Sequence, residues 1–308
     1  MTCGEKEAII RDRQTDRQTD RQANKLSRFL MKNHYVLRNS EKICLSDLER
    51  VNLNAWITPN SDVQNIGDYL SIEVVKYVCA QHGIDFNKTV SEPKHLYAIG
   101  SVLLGYQDAT IWGAGFGFDS MKVWLRKVDG FIHRHRHHLD VRAVRGPETR
   151  RILTEMGYEC PPIYGNPAIL TPKIYEGKSE PPSRYIVIPH YSKIEKYQTF
   201  DNAICTFSRD WKRIVDRIVN TELVISSSLH GIILAEAYGI PAVMLNDTPS
   251  DDITKHKDWY YATGRTSFQI ADSVGDALKM QNTLLPAAKV KEMQERLLNT
   301  FPYDLWND

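Results

Sequence analysis

The chain has no apolar run approaching the roughly 18 residues that a membrane-spanning helix needs. Its first residues are charged rather than apolar, so a secretory signal is not expected. Cysteine is sparse: five residues in 308, at positions 3, 44, 79, 160 and 205. They are odd in number, scattered, and never spaced as C-x-x-C, which argues against a disulfide framework and against zinc. They suit reduced thiols in a cytoplasmic protein, with Cys79 and Cys160 in or near the core. Net charge is also nearly absent, at +1 from 39 basic and 38 acidic residues, so a broad nucleic-acid or membrane-binding surface is not expected. The glycines at 113, 115 and 117 lack a following Gly-Lys-Ser/Thr and form no Walker motif.

What is present is an ordinary globular composition, 42% hydrophobic, in a length that suits two domains. Residues 12–22 repeat Asp-Arg-Gln-Thr and have no apolar face. Such a segment cannot bury enough surface to offset its ordering entropy. Residues 1–45 are therefore expected to be a disordered or low-complexity arm, or to lie partly upstream of a start at Met31.

The most informative stretch runs from Leu223 to Leu245. Residues 223–225 read as a buried strand, and Ser226, Ser227 and Ser228 stop it and offer capping oxygens. A helix is expected over 229–238, ended by Gly239 and Pro241, with a second buried strand at 242–245. His230 and Gly231 then fall in the first helical turn, at the carboxyl end of a strand. Free amides and the positive dipole end there suit an anion.

Elsewhere the pattern predicts a strand near 53–57, a helix over 68–82, strands at 96–103 and 110–112, a short strand at 143–144, and a helix opening at Gly146-Pro147 and closing at Gly157. After Pro-rich joining segments at 161–162 and 172–182, it predicts a strand at 185–188 and helices over 208–220, 251–264 and 286–301. Strands alternating with helices in both halves argue two doubly wound, Rossmann-like α/β domains facing each other across a cleft: residues 46–178, and 179–308 with a terminal helix.

Arg145 lies at a strand end beside a helix N-terminus and is a candidate phosphate or carboxylate clamp, with Arg142 a weaker one. His190 follows a strand, and Lys193 is close in sequence. Asn65 and Asp68 either cap a helix or face the cleft. The run His133-Arg-His-Arg-His-His138 lacks accompanying carboxylates and reads as an exposed loop or edge rather than a metal site. Trp259, Tyr260 and Tyr261 read as core, or as a face for stacking a sugar.

Ser227-Ser228-Leu229-His230-Gly231 followed by Gly239-Ile240-Pro241 resembles the signature of the polysaccharide pyruvyl transferases. Asn65-Ile66-Gly67-Asp68, Trp112-Gly113-Ala114-Gly115-Phe116-Gly117, Val144-Arg145-Gly146-Pro147-Glu148-Thr149 and Gly165-Asn166-Pro167-Ala168 resemble further motifs of that family, in the same order. The resemblance covers roughly residues 50–265. It implies a glycosyltransferase-B-like architecture and transfer of a pyruvyl group from phosphoenolpyruvate to a sugar of a surface polysaccharide or its lipid-linked precursor, leaving a ketal and phosphate. It further implies His230 and Arg145 as catalytic residues and Ser227, Ser228, Leu229, Gly231, His190 and Lys193 around the donor. Asn65, Gly67, Asp68 and Gly115 would face the acceptor. No metal and no cofactor beyond the donor are expected. The protein would be cytoplasmic, with peripheral association at the inner face of the membrane compatible with a lipid-linked acceptor. Many members carry Arg where Ser228 stands, so another cation, such as Lys193, would have to take its place. A glycosyltransferase using a nucleotide sugar and a non-catalytic glycan-binding protein are the alternatives.

Overall fold

The computed structural model describes residues 48–55, 65–90, 93–103, 108–117, 123–206, 208, 210–247, 253–281 and 284–307. The expected N-terminal arm and the loop at 58–64 lie outside the described residues.

Two four-stranded parallel sheets form the frame. The first holds β2 (Val51–Leu53), β4 (Lys94–Tyr97), β5 (Ala109–Trp112) and β6 (Leu139–Ala143), side by side in chain order. A small antiparallel pair, β1 (Leu48–Glu49) and β3 (Thr89–Val90), flanks it in sequence. The second holds β7 (Ile186–Ile188), β8 (Val224–Ser226), β9 (Ala242–Leu245) and β10 (Ile270–Ala271), again in chain order. The helices are α1 (Ile66–Gln81), α2 (Val123–Arg136), α3 (Pro147–Glu155), α4 (Trp211–Val219), α5 (Leu229–Ala237), α6 (Thr254–Ala262), α7 (Val274–Ala277) and α8 (Ala287–Asn299). None is long and apolar enough to cross a membrane, among the described residues.

A doubly wound sheet needs a reversal of strand order. In the first sheet none occurs among the described strands. In the second it is carried by a single bridge: Val187 of β7 pairs in parallel with Ala203, on the edge away from β8. Val187 N–H donates to Asn202 O at 2.9 Å and Ile204 N–H to Val187 O at 2.8 Å. The chain thus leaves β7 to one side, returns, and continues on the other. The order reverses between β7 and β8, and ligands in open α/β sheets bind at such a switch point, outside the strands' carboxyl ends.

Alternation along the strands explains the layering. In β8 and β9, Val224, Ala242 and Met244 turn to one cluster, while Ile225, Val243 and Leu245 turn to another. Both faces are covered, as parallel sheets require. The inner cluster is shared: it includes Val51, Leu70, Val74 and Leu96 from the first half and Ile186, Val224, Ile232 and Met244 from the second. At this junction the described residues of the two halves share one continuous core. The stretch just before the expected joining segment at 172–182 lies in this core. Residues Pro167–Lys173 form a 3-10 helix whose Ala168, Ile169, Leu170 and Thr171 are fully buried. The terminal helix α8 crosses back to the first sheet, where the Trp112 indole donates to Leu297 O at 2.9 Å.

Other boundaries shifted for local reasons. The strand expected at 96–103 ends at Tyr97, before Gly100, whose φ of +118 is incompatible with a strand. The first four residues of the histidine run, 133–136, are the last turn of α2, with His137 and His138 beyond its end, and helical spacing divides the helical part. His133 is buried against the Tyr158 hydroxyl, whereas His135 is exposed and caps Phe131 O at 2.7 Å. No group of three or more His, Cys, Asp or Glu suited to a metal occurs among the described residues. Trp259 and Tyr260 are core, at 0% and 2% exposure, rather than a sugar-stacking face. Cys79 and Cys160 are buried thiols, pushed up by burial to about 12 and about 11.

Candidate active site

The organising helix is α5. Every residue from Leu229 to Ala237 is buried except His230, which is intermediate, so the helix runs through the interior rather than over it. Ile232, Ile233 and Leu234 are fully buried, each contributing about 1.5–3 kcal/mol of hydrophobic stabilisation. Glu236, also fully buried, accepts from the Trp259 indole at 2.7 Å and from Arg265 at 2.6 and 2.9 Å, tying α5 to α6.

The N-terminus of α5 is built by the serines. Ser226 Oγ lies 2.7 Å from Ile188 O and 2.8 Å from Ser228 O, and accepts from Ser228 N–H at 3.0 Å. Ser227 Oγ accepts from His190 N–H at 2.9 Å, joining the ends of β7 and β8 at the switch point. Ser228 holds the N-cap position with extended backbone but makes no side-chain cap. The first-turn amides, Leu229, His230 and Gly231 among them, therefore lack the usual internal oxygen. Gly231 lies over Ser226 Oγ and the Ile188 side chain, where a Cβ would collide.

His230 is held from the opposite side. Its ring lies against Gly67, in the first turn of α1, closer than any Cβ permits. With the ring in that place only glycine fits, which gives the Asn65-Ile66-Gly67-Asp68 motif a physical reason. Asn65 caps α1 by accepting from Gly67 N–H at 3.0 Å, and Asp68 Oδ1 sits beside Gly100. Nε2 of His230 is sealed from solvent and has no hydrogen-bond partner. Burial, then the charges of Lys255 and Arg145, hold this histidine down at about 3, so it is neutral at pH 7. Burial and the charges of Lys255 and Lys193 lower His190 to about 4, and its Nδ1 accepts from Ser192 N–H at 3.3 Å.

Arg145 is placed differently from expectation. It is 1% exposed, and its guanidinium is engaged by the protein's own groups. Nε pairs with Asp258 Oδ2 at 3.0 Å, Nη1 donates to Ser101 Oγ at 3.1 Å, and Nη2 donates to Phe116 O. Asp258 in turn accepts from the amides of Glu148 and Thr149 at 2.8 and 3.0 Å, and from Thr149 Oγ1 at 2.6 Å. The anion at the α3 N-terminus is thus an internal carboxylate. Gly115, expected to face the acceptor, makes room for Arg145 and Thr149. Arg142 lies apart, paired with Asp140 and Asp304.

The structure therefore brings together His190, Ser227, Ser228, His230, Gly231 and Gly67, and holds Arg145 behind them as a buried tie. A family model described as polysaccharide pyruvyl transferase matches residues 65–248, more than half of the chain. The chain belongs to the polysaccharide pyruvyl transferase family. It is accordingly a transferase acting in polysaccharide biosynthesis. No curated protein matches it. The matched span opens at the Asn65 cap and includes the switch point, so it holds Gly67, His190, Ser227, Ser228, His230 and Gly231.

Two residues of the site escaped the sequence reading. Lys255, in the first turn of α6, is the cation whose charge reaches His190, His230 and His256 alike, whereas Lys193 acts on His190. His256 is fully buried beside the Ser227 backbone. The Lys255-His256-Lys257 cluster was the available signal, at the start of the helix after the second buried strand.

Proposed function

We propose that this transferase moves the pyruvyl group of phosphoenolpyruvate onto two hydroxyls of one sugar, in a surface polysaccharide or its lipid-linked precursor at the cytoplasmic face of the membrane. The observation that carries the reading is the α5 N-terminus: amides without a side-chain cap, and a first-turn histidine whose Nε2 is sealed and unpartnered. Such a terminus suits a phosphate, and Lys255 and Lys193 supply positive charge around it. The donor's methylene carbon gains a proton and its central carbon becomes electrophilic. One sugar hydroxyl attacks that carbon, the phosphate departs, and the second hydroxyl closes the ketal. The two hydroxyl protons balance the reaction, one ending on the new methyl group and one on phosphate. Neutral His230 takes the proton of an attacking hydroxyl; a phosphate dianion beside it favours its charged form, so it can return that proton to the leaving phosphate. Asn65 and Asp68 bind acceptor hydroxyls from the α1 side. Arg145 positions α3 against α6 through Asp258.

The test is donor choice. Phosphoenolpyruvate should raise the melting temperature and a nucleotide sugar should not. Stabilisation by the nucleotide sugar alone would replace this reading with a glycosyltransferase.

A further inference from the structure

His256 is 0% exposed, and neither ring nitrogen makes a hydrogen bond. A buried polar group without a partner costs about 1–3 kcal/mol, so a histidine with two such atoms is an expensive core residue. It does not lie in an ordinary apolar core. The Ser227 backbone approaches its ring and favours the charged form, without reaching hydrogen-bond geometry. Ser227 is the residue that joins β7 to β8 through the His190 amide, immediately before the α5 N-terminus. The charged and titratable groups acting on His256 come from three elements. The basic ones are Lys255 of α6, Arg145 of the β6–α3 connection and His190 after β7, and the acidic Asp258, two residues along α6, is paired with Arg145. Burial and these neighbours keep the ring neutral, well below the usual histidine range. Nε2 of His230, the third unpartnered ring nitrogen, belongs to the same site.

We propose that His256 is the buried counter-charge of this anion site: neutral in the empty protein, it takes up a proton from solvent when a phosphate-bearing ligand binds at the α5 N-terminus. The inference rests on the anion-binding role given to that terminus above. A dianion offsets the basic neighbours that disfavour the imidazolium, and the Ser227 backbone beside the ring favours the charged form. His256 is thus a positioning residue that acts through charge, and it makes ligand affinity rise as pH falls.

The experiment is calorimetric titration of the full chain with phosphoenolpyruvate and, separately, with inorganic phosphate, in buffers of different ionisation heat. Wild type should take up protons on binding. His256→Gln should take up as much as one proton fewer, bind both ligands roughly tenfold more weakly near neutrality, and show a shallower affinity–pH slope. A folded variant with wild-type affinity and proton uptake would overturn the proposal and leave His256 a packing residue. If the variant does not fold, histidine-labelled NMR of wild type decides. Conversion of the His256 ring to imidazolium on adding phosphate supports the proposal, and a ring that stays neutral overturns it. Wild type that binds inorganic phosphate with this uptake but ignores phosphoenolpyruvate would refute the pyruvyl reading alone; binding of neither refutes both.

Discussion

Asp258→Asn is the perturbation whose magnitude the structure defines best. The carboxylate and Arg145 are 0% and 1% exposed and 3.0 Å apart. The same carboxylate accepts two α3 amides and the Thr149 hydroxyl. The amide keeps the size and one acceptor but removes the charge facing a guanidinium that water cannot reach. Removing one partner of a buried pair costs about 3–5 kcal/mol, because the remaining charge stays buried. At about 2–4 °C per kcal/mol for a chain of this size, the melting temperature should fall by about 6–20 °C. Differential scanning fluorimetry gives the shift, and urea unfolding gives the free energy. The double variant Arg145→Met/Asp258→Asn should recover part of the loss, since it removes the orphaned cation. A loss under about 1 kcal/mol, the range of solvent-screened surface pairs, would refute the reasoning.

Arg145→Lys should likewise act on stability, with donor affinity in the folded protein little changed; a large rise in the Michaelis constant for phosphoenolpyruvate at unchanged melting temperature would return Arg145 to the donor site. Gly67→Ala should leave the fold intact, because the backbone there is helical, but push the His230 ring aside; turnover should drop on the order of 10²-fold, and full activity would show that the ring's place is unimportant. His230 at about 3 and His190 at about 4 are depressed from 6.5, so the unfolded chain binds protons that the folded chain does not. Stability from these histidines should therefore be complete above pH 6.5 and fall as pH drops toward 4. Replacing His230 with Asn should flatten that slope in a melting series, and an unchanged slope would count against a buried neutral ring.

Much of this was legible because local chemistry and tertiary structure agree along Leu223–Leu245. Apolar strand, serine stop, small-residue helix and Gly239 all state the same element, and β8, α5 and β9 appear within a residue or so of expectation. Arg145 shows the limit. Its position at a strand end beside a helix N-terminus is what a ligand clamp would have, but its partner is Asp258, 113 residues away. No local pattern reveals that the anion at that helix is internal. The glycines behave similarly: Gly67 and Gly115 were visible as motif positions, yet only the fold shows that one admits a histidine ring and the other a guanidinium. The buried 3-10 turn just before the Pro-rich segment was missed because a short 3-10 run shows neither strand nor α-helix periodicity. His256 was overlooked because a lone histidine between two lysines looks solvated.

The most direct measurement is to incubate the protein with phosphoenolpyruvate and candidate glycan or lipid-linked acceptors, following phosphate release and acceptor mass together. Wild type should release phosphate in step with a pyruvyl mass gain on one acceptor. His230→Asn should keep its fold and lose both signals by on the order of 10²–10⁴-fold. A folded His230→Asn variant with full activity would contradict the account of the site. Wild type that modifies an acceptor from a nucleotide sugar while leaving phosphoenolpyruvate untouched would contradict the account of the reaction.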